Sequence, residues 1–298
     1  MGYLESLGRS FRRNCMAFVF LAPAIILSTL FFFYPLIGVI NMSLHKWAVL
    51  GTSKWLGLAN YIRLMNDPLF WQAMNNTVIY TLIVTPGIFG VALGLAVLLN
   101  RKLKGTTFFR AVYFTPVAIS FVVASLVWLW MYNELYGILN YLLMSLGFVE
   151  TRISWLGSTW MARFSVSLMI VWKTAGFSMM VLLAGLQGIP QHVYEAAAID
   201  GANGWHRFRY IIFPLLRPTF ALALMVSLIG SFLAFDHFYV MTQGGPANTT
   251  LTIVMYIFRT GFEYFNLGYG SAMSIALLLI LIVLSVIQTR FMNADYRE

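Results

Sequence analysis

The sequence predicts an all-α integral membrane protein with six transmembrane helices. Of its 298 residues, 60% are hydrophobic and only 10% are charged, whereas soluble domains carry about 25% charged residues. Six apolar runs are each long enough to cross about 30 Å of hydrocarbon at a rise of about 1.5 Å per helical residue. They occupy residues 16–40, 75–99, 111–132, 160–186, 218–241 and 270–290. We therefore expect a six-span domain over 16–290, an N-terminal segment at 1–15 and a tail at 291–298.

The first apolar run follows a basic segment that contains Arg9, Arg12 and Arg13. It is too long for the apolar region of a signal peptide, and no small-residue cleavage site follows it. We therefore expect the first span to be retained. The sequence contains one cysteine, Cys15, which excludes an intrachain disulfide and a cysteine metal site.

Prolines and glycines mark the second and third apolar runs. Pro86 lies in the second run and Pro116 in the third. Because proline removes a helical hydrogen bond, we expect kinks or frayed ends there. Gly87, Gly90 and Gly94 recur at three and four residues, which favours close packing of one helix face against a neighbour.

Two ionisable side chains fall within the later apolar runs, Lys173 in the fourth and Asp236 in the fifth. A charge near the bilayer centre costs at least about 2.5 kcal/mol, so such residues usually face the bundle interior or water and are functional candidates. Three interpretations fit these two side chains: they pair with each other, they fix helix packing, or they take part in function. The sequence leaves the three interpretations open.

Basic residues are distributed unevenly between the two sides that six spans create. The side that holds both termini carries twelve Lys and Arg residues in its connecting segments, and the opposite side carries six. Cytoplasmic segments are enriched in Lys and Arg, so both termini and the connection at 187–217 are predicted to be cytoplasmic. The net charge of +9 then belongs to the flanks of the spans, and no basic cluster of the kind that binds nucleic acid stands out.

The connection at 187–217 is polar and charged, although long apolar runs flank it. Pro190 suits the first turn of a helix, the alanines after it favour a helix, and Gly201 suits the left-handed residue that ends one. We expect a first helix between these two residues and a second short helix from Trp205 to Ile212. The alanines give the first helix a flat face that another surface can approach closely.

Within this connection the residues resemble a known motif. In order, they are Glu195, Ala196, Ala197, Gly201, Ile211 and Pro214. Their spacing resembles the EAA loop of ATP-binding cassette importer permeases, with Phe213 where leucine is usual. The surrounding sequence is similar to the carbohydrate-uptake branch, which imports sugars and glycerol-3-phosphate. Within that branch it resembles the first-permease type, like the larger maltose permease subunit without its extra N-terminal spans and large periplasmic insert.

The resemblance implies a cytoplasmic EAA coupling helix, between spans four and five, that inserts into a cleft of a separate ATPase. The coupling residues that it implies are Glu195, Ala196, Ala197, Asp200, Gly201 and Pro214. By position, Glu195 makes a polar or ionic contact with the ATPase. The two alanines form the close-packed face, and Gly201 makes the turn that keeps the two short helices at an angle.

The resemblance also implies partners and a location. ATP and Mg²⁺ belong to a partner ATPase dimer and no cofactor belongs to this chain, whose sequence contains no G-x-x-x-x-G-K-[ST] motif. Two ATPase clefts require two coupling helices, so a second, homologous permease is expected in a heterodimer. An extracytoplasmic binding protein delivers the solute. The implied location is the cytoplasmic (inner) membrane of a bacterium or archaeon, with a multi-pass chain in the lipid bilayer.

A sugar that crosses such a bundle needs hydrogen-bonding groups and aromatic faces near the middle of the membrane. Spans four and five supply both. The candidate substrate-path residues are Trp172, Lys173, Phe177, Ser178, Ser231, Phe235, Asp236 and Tyr239. None belongs to a strict motif, so helix packing or lipid contact stays open for each aromatic residue.

Two alternative functions need no ATPase partner, namely a secondary carrier and an intramembrane enzyme. A carrier favours internal repeats, and a hydrolytic enzyme favours motifs such as G-x-S-x-G or H-E-x-x-H. We find neither in the sequence, and its histidines lack metal-ligand spacing. We therefore expect a translocation subunit without catalysis of its own. The sequence does not distinguish a sugar, an oligosaccharide, a polyol or glycerol-3-phosphate as its solute.

Overall fold

The computed structural model describes residues 19–47, 53–101 and 104–293. The predicted N-terminal segment at 1–15 and residues 294–298 of the predicted tail lie outside the described residues. The chain divides into two compact units. The smaller unit comprises the residues up to Asn66 together with Arg259–Ala276, and the larger unit comprises Asp67–Phe258 together with the residues from Leu277 onward.

Helices make up most of the regular structure, as predicted. In chain order they are α1 (Val19–Ser43), α2 (Ala59–Met65), α3 (Pro68–Leu99), α4 (Thr106–Ala118), α5 (Phe121–Met131), α6 (Ile138–Ser145), α7 (Thr159–Gly188), α8 (Gln191–Ile199), α9 (Gly204–Phe232), α10 (Asp236–Met241), α11 (Ile253–Phe258) and α12 (Leu267–Asn293). Two short strands, β1 (His45–Lys46) and β2 (Lys54–Trp55), pair antiparallel.

Five helices are long and apolar enough to cross a membrane, namely α1, α3, α7, α9 and α12. The pair α4 and α5 passes the same test together, but the two helices bend by 97° where they meet. The apolar run predicted as the third span, 111–132, thus lies in two helices with a sharp break and not in one continuous helix. The chain has six spans if this bent pair crosses the membrane as one.

The break between α4 and α5 has a local cause. Pro116 lies in the last turn of α4, where it removes one amide donor. The next two residues after the helix, Ile119 and Ser120, adopt extended backbone with ψ of 140° and 144°. Two extended residues in succession cannot continue a helix, so the chain turns sharply before α5 begins.

The fifth span also differs from the predicted 218–241. Its helix, α9, begins at Gly204 and ends at Phe232. Phe235 then has φ of −135° and ψ of −63°, which lies outside the helical region and separates α9 from the short α10. Asp236 therefore begins a new helix and is not part of α9.

Pro35 and Pro214 lie inside continuous helices, and a wider turn precedes each of them. Residues Thr29–Phe33 in α1 and Phe208–Ile212 in α9 are π-helical, and Pro35 and Pro214 each follow by two residues. A proline ring crowds the carbonyl four residues earlier and supplies no amide hydrogen. Since each of those carbonyls lies in the wider π turn, both helices continue past their prolines.

The core of the larger unit lies between α3, α7 and α9. Its buried residues are Phe89, Ala92, Ala96, Leu99, Met179, Leu182, Leu183, Leu186, Ile189, Leu216 and Ala223; we call this set the core cluster. Close packing of α3 on α7 depends on Gly87, where an added Cβ would lie 2.9 Å from Val171. Gly90 and Gly94 have no heavy atom within 4 Å of such a Cβ, so only one of the three predicted packing glycines has this role.

The loop that follows α10 is tied to α3 and α7. The amide of Asn76 donates to the carbonyls of Asn248 and Leu251, at 2.8 Å and 3.1 Å. Arg163 of α7 donates to the side-chain oxygen of Asn76 at 2.8 Å and to the carbonyl of Thr249 at 3.2 Å. This network holds the loop against the ends of both long helices.

Candidate functional site

The predicted coupling segment forms a capped helix, α8. The amide of Ala202 donates to the carbonyl of Ala197 at 3.0 Å, and Gly201 between them has φ of +71°. This bond across a left-handed residue is the Schellman arrangement that ends many helices. The sequence therefore predicted both the helix and its terminating glycine correctly.

The two faces of α8 have different surroundings. Val193 and Tyr194 pack against the core cluster. Ala197 is 3% exposed, so it faces the chain's own bundle and cannot form an outward face together with Ala196, as the sequence had indicated. The outward face carries the exposed residues Glu195, Ala196, Ile199 and Asp200, and the exposed fraction of Ile199 is 86%.

Tyr194 links α8 to the start of α9. Burial raises the pKa of its phenol, and the positive charge of Arg207 opposes that shift. The phenol lies 3.5 Å from the carbonyl of Leu186 at the end of α7. Tyr194 therefore connects α8 with the helices on both sides of it.

The second predicted helix, from Trp205 to Ile212, is not a separate element. The side chain of Asn203 accepts from the amide of His206 at 2.9 Å and caps the start of α9. From there the helix continues through the π turn and Pro214 to Phe232. Gly201 thus separates α8 from one long helix and not from a second short one.

A cavity of about 350 Å³ lies in the larger unit, where α3, α7 and α9 meet the break between α4 and α5. Its lining residues are Tyr80, Ile88, Val117, Phe121, Ile170, Lys173, Thr174, Phe177, Ser178, Val226, Ser227, Gly230, Ser231 and His237. Hydroxyl groups, aromatic rings and one ammonium group share its wall. This composition suits a solute with several hydroxyl groups and an apolar ring face.

Four of the eight predicted substrate-path residues line the cavity, namely Lys173, Phe177, Ser178 and Ser231. Trp172 is 40% exposed, with its ring 5.6 Å from that of Trp128. Phe235, Asp236 and Tyr239 follow the break after α9. Phe235 stacks on Tyr239 with ring centroids 5.2 Å apart, and Asp236 is exposed.

Lys173 is almost completely buried, at 3% exposure. Its ammonium group lies 3.3 Å from the carbonyl oxygen of Pro116 and 3.4 Å from that of Val117. It also lies 4.2 Å from the centre of the Phe121 ring. Among the described residues, Lys173 and Asp236 form no ion pair, so Lys173 finds its partners at the break and not at Asp236.

Neither Tyr80 nor His237 is among the candidates named from the sequence. The Tyr80 hydroxyl and His237 Nε2 lie 3.0 Å apart, and both residues are buried in the cavity wall. The missed signal is a row of polar residues in α3, Asn76, Thr77, Tyr80, Thr81 and Thr85, all of them buried. Polar residues that recur at helical spacing in an apolar span indicate an inward face.

The hydroxyl of Ser227 is buried in the wall of the cavity and has no hydrogen-bond partner within the described part of the chain. It therefore has unused donor and acceptor capacity beside the cavity. Over the same residues, no group of three or more His, Cys, Asp or Glu side chains is placed to hold a metal ion.

Residues 87–294 match the family described as "Binding-protein-dependent transport system inner membrane component". The lactose transport system permease protein LacF of Rhizobium radiobacter is 36% identical over 274 residues, which cover 91% of each chain. The sulfoquinovosyl glycerol transport system permease protein SmoG of Agrobacterium fabrum is 36% identical over 280 residues, which cover 93% of this chain and 90% of SmoG.

A solved structure shares the fold. It is the crystal structure of a bacterial alginate ABC transporter in complex with an alginate pentasaccharide-bound periplasmic protein. One chain of that transporter superposes with a TM-score of 0.82 at 22% sequence identity, covering 97% of this chain and 96% of its own length. At this identity the likeness establishes the arrangement of the helices.

Proposed function

Because the chain belongs to the family of binding-protein-dependent transport system inner membrane components, we propose that it is the translocation subunit of an ATP-driven importer for a sugar or sugar-like solute. In this role it carries no catalytic site of its own. A separate ATPase dimer binds ATP and Mg²⁺ and drives the movement. A second, homologous permease completes the pathway.

One observation carries the proposal, namely that α8 and the cavity share the same helices. Val193 and Tyr194 seat α8 on the core cluster, to which α3, α7 and α9 contribute. The same three helices line the cavity. A force applied to the outward face of α8 therefore acts directly on the helices that shape the cavity.

The outward face of α8 suits a polar protein cleft. Glu195 accepts from the side chain of Gln191 at 3.0 Å and, with the neighbouring Asp200, places two carboxylates beside the exposed Ile199. Charges around an apolar centre are typical of specific protein interfaces. We propose Glu195, Ala196, Asp200 and Gly201 as the residues that dock and orient α8 in the ATPase. Ala197 and Pro214 support the segment from within the chain.

The cavity wall supports a hydroxyl-rich solute. Ser178, Ser227 and Ser231 offer hydroxyl groups, and Phe177 offers an aromatic face at the same cavity. The names of the two relatives refer to lactose and sulfoquinovosyl glycerol. Both solutes have hydroxyl groups that can bond to the serines and ring C–H groups that can pack on the aromatic face. A solute of this kind, delivered by an extracytoplasmic binding protein, is the substrate class that we propose.

The proposed location is the cytoplasmic membrane, with both termini and α8 on the cytoplasmic side. The excess of basic residues on that side supports this orientation. In this orientation α8 lies on the side where ATP is available. The opposite end of the helix bundle then lies on the side where a binding protein can dock.

Reconstitution into proteoliposomes tests the proposal. The chain, co-expressed with its ATPase and second permease, is purified and supplied with binding protein and a panel of labelled solutes: lactose, trehalose, maltose, glycerol-3-phosphate and a polyol. We expect uptake of one of them only when ATP is enclosed on the α8 side. Uptake by this chain alone would favour a secondary carrier, and chemical conversion of a solute would favour an intramembrane enzyme.

A further inference from the structure

The break between α4 and α5 leaves backbone groups without helical partners. The last carbonyls of a helix accept no intrahelical hydrogen bond, and a membrane interior supplies no bulk water to replace it. At the end of α4 the carbonyl of Pro116 accepts one backbone bond, from the amide of Ile119 at 3.2 Å, whereas among the described residues the carbonyl of Val117 accepts from no backbone amide. A bend of 97° at this depth therefore requires donors from elsewhere in the chain.

Lys173 of α7 supplies those donors. Its ammonium group approaches both carbonyls, at 3.3 Å and 3.4 Å. It also lies over the ring of Phe121, which is the first residue of α5. One side chain thus contacts the helix before the break and the helix after it.

The charge on Lys173 is compensated at the break itself. The carboxyl end of a helix carries a partial negative charge that stabilises a cation, and the face of an aromatic ring attracts one. Within the described part of the chain no carboxylate pairs with this ammonium group. Lys173 therefore does not need a negatively charged solute to balance it.

A glycine brings α4 close enough for this contact. Gly176 follows Lys173 by three residues and therefore lies on the same face of α7. An added Cβ at Gly176 would collide with the carbonyl oxygen of Tyr113 and lie 3.2 Å from the Cα of Phe114. Hence α4 rests directly on the backbone of α7, within reach of the Lys173 side chain.

We propose that Lys173 is a positioning residue that clamps the broken third span in its bent form. Val117, Phe121 and Lys173 all line the cavity, so the clamp determines the position of one cavity wall. Its effect on uptake rests on the function proposed above, whereas its effect on the bend does not.

The bend is measured directly by spin labels on either side of the break. Phe108 on α4 and Trp130 on α5 are both exposed, and replacing Cys15 by serine removes the one native thiol. From the rise of a helix, the direct distance between the two labelled positions is about 22 Å if the helices bend by 97°. It is about 33 Å if they form one straight helix. Pulsed electron spin resonance resolves these two distances.

Three variants at Lys173 separate the effect of its hydrogen-bond donors from the effect of its charge. Lys173→Met keeps the length of the side chain but removes every donor, so we expect a population shifted toward the longer distance. Lys173→Arg keeps charge and donors and is expected to retain the short distance. Lys173→Gln keeps donors without the charge and is expected to give an intermediate result, which also provides a measurement if the methionine variant does not insert.

Uptake measurements then show whether the clamp matters for transport. We expect Lys173→Met to raise the KM for the solute about tenfold, because the carbonyl of Val117 in the cavity wall loses its donor and that of Pro116 loses one of two, while ATPase binding stays intact. A short, narrow distance distribution in both Lys173→Met and Lys173→Gln would overturn the clamp without affecting the importer assignment. Uptake by the unsubstituted protein without ATP would overturn the importer assignment and would leave the interpretation of the spin-label distances unchanged.

Discussion

Gly201 is the residue at which the proposed coupling segment is easiest to test. Its φ of +71° disfavours a side chain, although no heavy atom lies within 4 Å of an added Cβ. The cost of substitution is therefore backbone strain of about 1–2 kcal/mol. We expect Gly201→Val to lower both uptake and solute-stimulated ATP hydrolysis while the protein still inserts in the membrane. Gly201→Asn, which tolerates this conformation, is the matched control and should transport normally. Equal uptake by the two variants would exclude the proposed role.

A substitution at Ser227 tests whether the solute binds in the cavity. Its hydroxyl is buried without a partner, so a hydrogen bond to a solute would contribute about 0.5–1.5 kcal/mol. We expect Ser227→Ala to raise the KM for uptake roughly twofold to tenfold and to leave the maximal rate of ATP hydrolysis unchanged. Thr289→Val, which removes an exposed hydroxyl from α12, is the control. An unchanged KM in Ser227→Ala would remove this hydroxyl from the solute path.

Individual residues were predicted unevenly. The sequence identified Gly201, because a glycine after a run of alanines has one simple explanation. It also identified Lys173 as inward-facing, because a charge in lipid is costly, but not its partners, which lie more than fifty residues earlier in the chain. Asp236 follows the end of α9 at Phe232 and belongs to the short α10, a break that the apolar run did not reveal.

At the scale of helices, the contact of α4 with α7 depends on a residue without a side chain. An added Cβ at Gly176 would collide with backbone atoms of α4, whereas at Gly188 on the same helix it would meet nothing within 4 Å. We expect Gly176→Ala to lower the unfolding temperature, since backbone atoms can only move together with their helix. Gly188→Ala should be neutral or slightly stabilising, because alanine is the better helix former. Similar unfolding temperatures in detergent would contradict the close packing.

The bounds of the helices were predicted better where local sequence determines them than where contacts between helices do. Long apolar runs predicted five of the spans, although α9 begins well before its apolar run because the preceding polar turn is also helical. The break after Pro116 was expected only as a kink. It also involves contacts with Lys173 and Gly176, which belong to another helix, so local propensity alone does not predict its size.

At the scale of the whole molecule, the property to test is the proposed dependence on a partner's ATP hydrolysis. We expect uptake to disappear when the ATPase carries a substituted phosphate-binding lysine, although the assembled complex stays intact on size-exclusion chromatography. Addition of the unsubstituted ATPase should restore it. Solute accumulation that persists with the inactive ATPase would show that the energy comes from another source.

The helical class and the position of α8 between two spans followed from composition and from a motif. The cavity did not, because residues of six helices line it and half of the predicted lining residues lie elsewhere. Trp172 and Lys173 are neighbours in sequence, yet only Lys173 lines the cavity. A list of polar and aromatic residues in a span does not indicate which side of the helix faces inward.

The uninterrupted course of α9 sets the geometric scale of any movement that it transmits. Its 29 residues extend about 44 Å at the usual rise. A stiff rod of that length converts a tilt of about 5° at one end into a displacement of about 4 Å at the other. That displacement exceeds the length of a hydrogen bond, about 3 Å. A few degrees of rotation at the membrane surface would thus be enough to form or break the contacts proposed between a solute and Ser227 or Ser231.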